Sequence, residues 1–413
     1  MNLELIIFGV LTFISMVVIY RNRERIKLEP ILFFPLKKPV RVFGRMIYKF
    51  PIIYTLLIKT KIGISFTDKF IGRFRRISKF VMYGCIVIGV FSLIGISYYL
   101  VDYLITVLTT KPIEPVQAIK LVLPFKVKGA MYVPLVYWIL SIITLAVLHE
   151  FGHALVARYF RIPIKSTGPA FFGILLPLIP AAFVEPDEKV LNNRPRKEKL
   201  AVFSAGSSFN IVSGFIFMII FGLLSWASVG MVVNDGVEIT GVYSENLRLT
   251  GIREGQIIDA VEVEMPNSLI KYDINKLEDV AIVLISHPPS TSIDIITREG
   301  KFYQEYNHKL EVNPRDVEKS MIGVELKQHT SLNPEKVGLY GKIPINIMLW
   351  IGGLFMWMSI LSLGIGTFNL LPMIPLDGGL MVRAMVYKTK FEKPITYGIT
   401  LLFLGMLGIL IFV

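Results

Sequence analysis

Three polar residues, His149, Glu150 and His153, interrupt an apolar run in the segment LAVLHEFGHALVARYF, residues 145–160. Histidines four positions apart lie on one face of a helix, one turn from each other, so both imidazoles can bind the same metal ion. This H-E-x-x-H spacing is typical of zinc hydrolases, in which the glutamate takes a proton from the attacking water. The alternative is a polar pair that only bonds neighbouring helices. Because ionisable groups inside a membrane are costly and usually functional, the pattern predicts one bound Zn²⁺ and Glu150 as the general base.

A catalytic zinc ion needs a third protein ligand. The remaining histidines lie in a polar segment: His287, His308 and His329. The acidic residues in or beside apolar runs are Asp102, Glu185, Asp187 and Asp377. The choice among these four depends on the side of the membrane at which each one lies.

The composition predicts a polytopic α-helical membrane protein. The 413 residues are 53% hydrophobic and only 18% charged, against about 25% charged in ordinary globular proteins. One cysteine, Cys85, excludes a disulfide framework. Segment 167–186 is apolar but broken by glycines and prolines, which indicates a re-entrant segment, and the short run 50–58 is expected to lie at the interface. About six transmembrane helices are predicted, over residues 3–20, 80–108, 130–157, 200–230, 343–371 and 395–413.

The distribution of charge predicts the topology. Residues 21–79 contain 16 Lys and Arg against 3 Asp and Glu, a net charge of +13 that equals the excess of the whole chain. Basic flanks mark the cytoplasmic side, and this stretch is expected to be a solvated face near anionic lipid rather than a nucleic-acid site, for which no motif is present. The chain is therefore expected to be an integral protein of the lipid bilayer, with the histidine motif near the cytoplasmic side.

This topology favours Asp377 as the third ligand. Asp377 follows the fifth apolar run at its cytoplasmic end, the same depth as the histidines. Pro372 and Pro375 cannot continue a helix there, and Gly378 and Gly379 let the backbone come close to a site. The alternative for Asp377 is a capping role at the start of the next helix.

Residues 231–340 differ from the rest of the chain, because mixed charges alternate with short apolar stretches that are typical of strands and turns. The segment LRLTGIREGQIIDAVEV, 247–263, resembles the PDZ pattern, with Gly251, Gly255, Gln256, Ile257 and Ile258 at its positions. The alternative is a generic small β-rich domain. The predicted domains are N-terminal spans with the basic segment (1–129), a membrane core in two halves (130–230 and 341–413), and an extracytoplasmic PDZ-like domain (231–340) that binds peptide segments by strand addition.

The chain resembles the site-2 protease family of intramembrane zinc metalloproteases, in its PDZ-containing prokaryotic type, over roughly residues 130–390. The resemblance to this type implies a prokaryotic plasma membrane. The resemblance rests on His149-Glu150-x-x-His153, NLLPMIPLDG (369–378) and SAGSSFN (204–210). In the last segment Ala205, Gly206 and Asn210 match the family, whereas Ser207 stands in place of its proline. The inserted domain also lies at the family's usual position.

The resemblance implies roles for individual residues. His149, His153 and Asp377 would hold zinc, and Glu150 would act as general base and later as proton donor. Asn369 would hydrogen-bond the substrate backbone or the developing oxyanion. Asn210 would have a similar role toward the substrate or the oxyanion. The alternative is that its amide only hydrogen-bonds two neighbouring helices. Segment 167–186 corresponds to a re-entrant hairpin whose edge strand presents itself to an unwound substrate.

The function that these features predict is cleavage of membrane-spanning protein substrates in or near their transmembrane segments, in regulated intramembrane proteolysis. The alternatives are a metal-binding membrane transporter that uses the same ligands and an inactive scaffold. Glu150 distinguishes hydrolysis from transport. Hydrolysis requires a carboxylate that lies beside the metal ligands and does not itself bind the metal, whereas a transporter has no need of one.

Overall fold

The structure is a computed structural model of the chain. It describes residues 3–42, 45–110, 122–125, 130–174, 176–265, 268–313 and 316–412. The chain forms two compact units: a β-rich unit, Leu224–Trp350, and a helix-rich unit made of Met1–Leu223 and Ile351–Val413.

The helices are numbered along the chain. They are α1 (Leu3–Arg21), α2 (Ile64–Arg73), α3 (Arg75–Thr110), α4 (Leu135–Tyr159), α5 (Glu188–Asn192), α6 (Arg196–Ala227), α7 (Glu245–Thr250), α8 (Leu277–Ser286), α9 (Pro334–Tyr340), α10 (Lys342–Phe368), α11 (Asp377–Met385) and α12 (Glu392–Phe412). Within the part of the chain that the structure describes, five helices are long and apolar enough to cross a membrane, namely α3, α4, α6, α10 and α12. Helix α1 coincides with the predicted span 3–20 but is not among these five, so the count of six stays a prediction.

The strands are numbered in the same way. They are β1 (Ile26–Val42), β2 (Arg45–Ile58), β3 (Val122–Leu123), β4 (Met131–Tyr132), β5 (Ile164–Ile174), β6 (Leu176–Pro186), β7 (Val232–Val242), β8 (Ile257–Met265), β9 (Ser268–Asp273), β10 (Ser292–Glu299), β11 (Phe302–Lys309), β12 (Glu311–Asn313), β13 (Asp316–Met321) and β14 (Val324–Leu332).

A four-stranded antiparallel sheet belongs to the helix-rich unit, with the strand order β1-β2-β5-β6. The broken apolar segment 167–186 forms most of the β5–β6 hairpin, and β6 lies at the sheet edge and packs against α4. The run 50–58 is part of β2, and Leu57 pairs with Ala170 of β5; its place at the membrane interface stays a prediction. The sheet thus joins the basic N-terminal segment to the hairpin beside the histidine motif.

Helices α4 and α6 pack closely because small residues line their contact. A methyl group at Gly152 would lie 2.8 Å from the carbonyl oxygen of Ala205 and 2.9 Å from the Phe209 ring. Close packing of small residues is the usual way in which helices associate in membranes, where apolar burial from water contributes little. This contact brings α6 against the helix that carries the histidine motif, and α6 runs unbroken through Ser207.

The β-rich unit contains a sheet in the order β11-β10-β8-β7-β14, with β9 paired to β8. Alternate residues of its central strands form the core, including Val237, Ile239, Val261, Ile293 and Ile295. Helix α7 begins at the cap Ser244, whose hydroxyl oxygen accepts the Leu247 N–H, and ends at Gly251, where φ is 94°. Positive φ favours glycine because a Cβ would crowd the backbone, which explains the glycine at this turn.

Candidate active site

The two histidines of the motif lie on one face of α4, as their spacing predicts. Their Nε2 atoms are 3.1 Å apart, and both side chains are largely buried, with 13% and 15% of their surface exposed. The helix continues from Leu135 to Tyr159, so the backbone holds the two rings one turn apart. Two ring nitrogens directed at one point form two-thirds of a metal site.

Asp377 approaches this pair from a different part of the chain. Its Oδ2 lies 3.4 Å from His149 Nε2 and its Oδ1 lies 3.4 Å from His153 Nε2. One ligand atom from each of the three residues falls within 4.8 Å of the others. Among the described residues, this is the one cluster of three or more His, Cys, Asp or Glu side chains with metal-site spacing.

A break after α10 delivers Asp377 to the histidines. The helix ends at Phe368, four residues before Pro372, and α11 begins at Asp377 itself. A Cβ at Gly378 would lie 2.1 Å from the Leu370 carbonyl oxygen, and one at Gly379 would lie 2.3 Å from the Met373 carbonyl carbon. The two glycines are therefore required because α11 begins in contact with the backbone of the preceding loop.

The other acidic candidates lie outside the histidine cluster, and two of them have structural partners elsewhere. Glu185 accepts hydrogen bonds from Lys59 Nζ at 2.6 Å and from the Ser166 hydroxyl, and these bonds hold the pKa of the Glu185 carboxyl below its ordinary value. Asp187 caps α5 by accepting the N–H groups of Lys189 and Val190. Asp102 lies within α3, and it is not part of the histidine cluster. The structure thus brings Asp377, and none of the other three, to the histidine pair.

Glu150 lies between the cluster and an apolar cleft of about 810 Å³. The walls come from α1, the chain around α2, α4, and the β5–β6 hairpin, and they include Val18, Phe66, Trp138, Phe171 and Val184. The Glu150 carboxylate lies against the backbone of Val184 on the edge strand β6. The general-base candidate is therefore placed where an extended chain along β6 would meet it.

The sequence profile of peptidase family M50 matches residues 137–412, about two-thirds of the chain. The chain belongs to peptidase family M50. This assignment confirms the resemblance to the site-2 protease family, and it makes the chain a metallopeptidase and, together with five helices able to span a bilayer, an integral membrane protein. The chain is also 25% identical over 330 residues to the uncharacterized protein MJ0971 of Methanocaldococcus jannaschii, covering 78% of this chain and 75% of that protein.

The ligand cluster of this M50 peptidase fits a zinc ion. M50 metallopeptidases are generally zinc-dependent, and two imidazoles with one carboxylate form a donor set that suits a catalytic zinc with an open position. The cradle is kept free by Gly206 of α6, where a Cβ would lie 2.4 Å from His153 Nε2 and 2.6 Å from His149 Nε2. A side chain at that position would fill the space in front of the two nitrogens.

Helix α6 of the peptidase contacts each of the three ligands from outside the cluster. His153 Nδ1 lies 2.7 Å from the Val202 carbonyl oxygen, which only accepts, so this nitrogen carries the proton and Nε2 is left with a lone pair. The amide Nδ2 of Asn210 lies 3.3 Å from His149 Nδ1. The Ser207 hydroxyl donates to Asp377 Oδ2 at 2.7 Å.

The two asparagines that the sequence singled out lie in different surroundings. Asn210 is fully buried beside His149, and its carbonyl accepts the Ser362 hydroxyl of α10 at 2.9 Å. Asn369 is half-buried, and its backbone carbonyl accepts the Gly378 N–H at 2.9 Å. Within the described ranges its side-chain amide makes no hydrogen bond, and its contact with substrate stays a prediction.

Sequence reasoning missed Val202 and the role of Ser207. A backbone carbonyl leaves no trace in the sequence, so the contact of Val202 could not be found there. Ser207 attracted notice only as a departure from the proline of the family segment. Ser207 and Asn210 are three positions apart, so their side chains face the same side of a helix. This spacing was the signal in the sequence that could have pointed to Ser207.

Proposed function

We propose that the protein is an intramembrane zinc metalloprotease that hydrolyses peptide bonds in or near transmembrane segments of membrane proteins. The observation that carries this proposal is the convergence of His149, His153 and Asp377 on one point, with Glu150 between that point and an apolar cleft. The side chains that hold the metal, the base and a cleft suited to an apolar substrate thus lie in one place. We propose further that this cleavage serves regulated intramembrane proteolysis.

The proposed chemistry divides between the metal ligands and Glu150. Zinc held by His149, His153 and Asp377 would supply Lewis-acid polarisation and an easily deprotonated water. The Glu150 carboxylate takes the proton of the attacking water and later gives a proton to the leaving amine. We assign Asn369 to the substrate backbone or the developing oxyanion, since its amide is half-buried and has no partner within the described residues. For Asn210 we favour a role in orienting His149 over contact with substrate, because its amide lies on the outer side of that ring.

The substrate is proposed to bind as an extended strand along β6. One side of β6 is paired with β5, and its other side is the edge of the sheet. Strand β6 also packs against α4. Edge strands bind extended peptides through main-chain hydrogen bonds. The carbonyl groups of an intact substrate helix are engaged in the helix itself, so the scissile segment must unwind, and pairing with β6 offers its backbone new partners.

The placement of the protein in the membrane follows the distribution of its charges. We propose six spans, with the catalytic cluster near the cytoplasmic side and the β-rich unit outside. From the family resemblance we propose a prokaryotic plasma membrane and a PDZ-like domain that binds peptide segments. The support is the basic segment 21–79 together with Arg158 and Arg383 near the cytoplasmic ends of two proposed spans.

The Glu150→Gln substitution tests the proposed function. The amide cannot take a proton but has nearly the same shape, so zinc content should remain one ion per chain while cleavage of a single-span reporter falls about 10²- to 10⁴-fold. Zinc is measured by elemental analysis of the purified full chain, and cleavage is measured in proteoliposomes.

The control for this experiment is Glu188→Gln, a change at an exposed glutamate of α5, which should cleave at the unsubstituted rate. Undiminished cleavage by Glu150→Gln would refute the mechanism. Zinc uptake into the proteoliposomes without cleavage of any reporter would favour the rival transporter.

A further inference from the structure

We propose that Ser207 is a positioning residue that fixes the carboxylate of Asp377 for metal binding. This inference rests on the proposed metal site, and it assigns to Ser207 a role that the catalytic motif itself does not reveal. Ser207 does not touch substrate or metal in this scheme; it acts through Asp377.

The contact between Ser207 and Asp377 is short and enclosed. Ser207 Oγ lies 2.7 Å from Asp377 Oδ2, Ser207 has no exposed surface, and the Asp377 side chain is 11% exposed. A carboxylate only accepts hydrogen bonds, so the serine hydroxyl must be the donor. A hydrogen bond to a charged group in such a site is stronger than one between neutral groups.

Asp377 needs this support more than the histidines do. His149 and His153 share α4, so the helix sets their spacing, whereas Asp377 begins a nine-residue helix after a loop. Its carboxylate can rotate about its terminal torsion, which has broad wells. The bond from Ser207 selects one rotation, in which Oδ1 faces His153 and Oδ2 faces His149, and Oδ2 still has a lone pair for a metal.

Ser207 completes a set of contacts from a single helix. Val202 holds His153, Asn210 holds His149, and Ser207 holds Asp377. Between them, Gly206 leaves space for the metal. One continuous helix thus contacts ligands that lie more than two hundred residues apart in sequence, and the hydroxyl of Ser207 connects this helix to Asp377.

The test is the zinc affinity of the purified full-length protein, measured by competition with a chelating dye after the metal has been stripped. Loss of an outer contact to a metal ligand typically weakens metal binding about 10- to 100-fold, and Ser207→Ala is expected to fall in that range. The matched control is Ser208→Ala, which removes an equally buried hydroxyl that donates to the Cys85 carbonyl at 3.0 Å and does not contact a ligand. Its zinc affinity should stay within about threefold of the unsubstituted chain, well below the loss expected for an outer contact.

A second measurement separates positioning from general packing. In an Asp377→Ala background the hydroxyl has no carboxylate to hold, so adding Ser207→Ala should change zinc affinity by less than about threefold, as expected for a pair that acts through one contact. The visible spectrum of the Co²⁺-loaded protein should change with Ser207→Ala and remain unchanged with Ser208→Ala.

Several results would overturn the proposal. They are an unchanged zinc affinity in Ser207→Ala, an equal loss in Ser207→Ala and Ser208→Ala, and a Ser207→Ala effect that persists without Asp377. If the unsubstituted chain binds no zinc, the metal site itself fails, and the role of Ser207 fails with it. A zinc-binding chain with an unaffected Ser207→Ala variant would leave the proposed function standing while removing this inference.

Discussion

Both units of the molecule bury polar side chains, but the groups that these side chains contact differ between a site in the β-rich unit and the cluster in the helix-rich unit. In the β-rich unit Gln256 is 1% exposed; it donates to the Gln304 side chain and the Tyr306 hydroxyl, and it accepts the Arg253 N–H. In the helix-rich unit the ligand atoms of the catalytic cluster face one another at 3.1–3.4 Å.

This difference distinguishes buried polar groups that stabilise the fold from buried polar groups that form a functional site. A donor that meets an acceptor closes a hydrogen bond and stabilises the fold, as Gln256 does. Imidazole lone pairs and a carboxylate that converge without enough donors repel one another unless a cation is shared among them. The buried Gln256 side chain is thus satisfied within the protein, whereas the polar groups of the catalytic cluster require a metal or a proton.

The largest effect that would test this contrast comes from Gly206→Ala. A methyl group would lie within 2.6 Å of both Nε2 atoms, so the rings must move and zinc affinity should fall about 100-fold or more, at least as much as for a lost outer contact. The control is Gly222→Ala on the same helix, where a Cβ would meet nothing within 4 Å. Tight zinc binding by Gly206→Ala would show that the space before the nitrogens is not the metal cradle.

An intermediate effect is expected from Gln256→Leu. The substitution removes the acceptor of the Arg253 N–H and the donor to the Tyr306 hydroxyl, which keeps only its bond to Gln304. It should lower the free energy of unfolding of the β-rich unit by about 1–3 kcal/mol. Hydrogen exchange of β8 and β10 amides in the full chain measures this loss. Lys301→Leu, at an exposed turn, serves as control, and neither change should alter zinc affinity. Loss of zinc from the Gln256 variant would contradict the view that Gln256 stabilises the fold without contributing to the metal site.

The smallest effect concerns His308 in β11. Burial lowers its pKa, outweighing the carboxylate of Glu311 and a backbone hydrogen bond, which both raise it. Because the folded state disfavours the charged ring, stability is complete above the unfolded pKa, about 6.5, and declines as pH falls from 7 toward 5, by less than about 1.4 kcal/mol per pH unit. Hydrogen exchange against pH should show a shallower decline in His308→Leu. An identical pH dependence in both proteins would exclude His308 as the titrating group.

The helices and the catalytic cluster were largely predictable because their signals are local. The spacing of His149 and His153 and the length of the apolar runs follow from helix geometry, and five of the predicted spans meet helices able to cross a bilayer. The depth argument selected Asp377, which the structure brings to the histidines. The sheet was harder, because β2 pairs with a hairpin more than a hundred residues away, and its basic, proline-containing sequence resembled a solvated face.

By itself, the sequence determined the membrane character, the histidine pair one turn apart, and the helix break that precedes Asp377. These features depend on backbone geometry and on transfer into lipid, which act on neighbouring residues. The tertiary structure alone decided that Glu185 would pair with Lys59 and that Ser207 would hold Asp377. Contacts between residues 126 and 170 positions apart depend on how whole elements pack, and no local pattern records that packing.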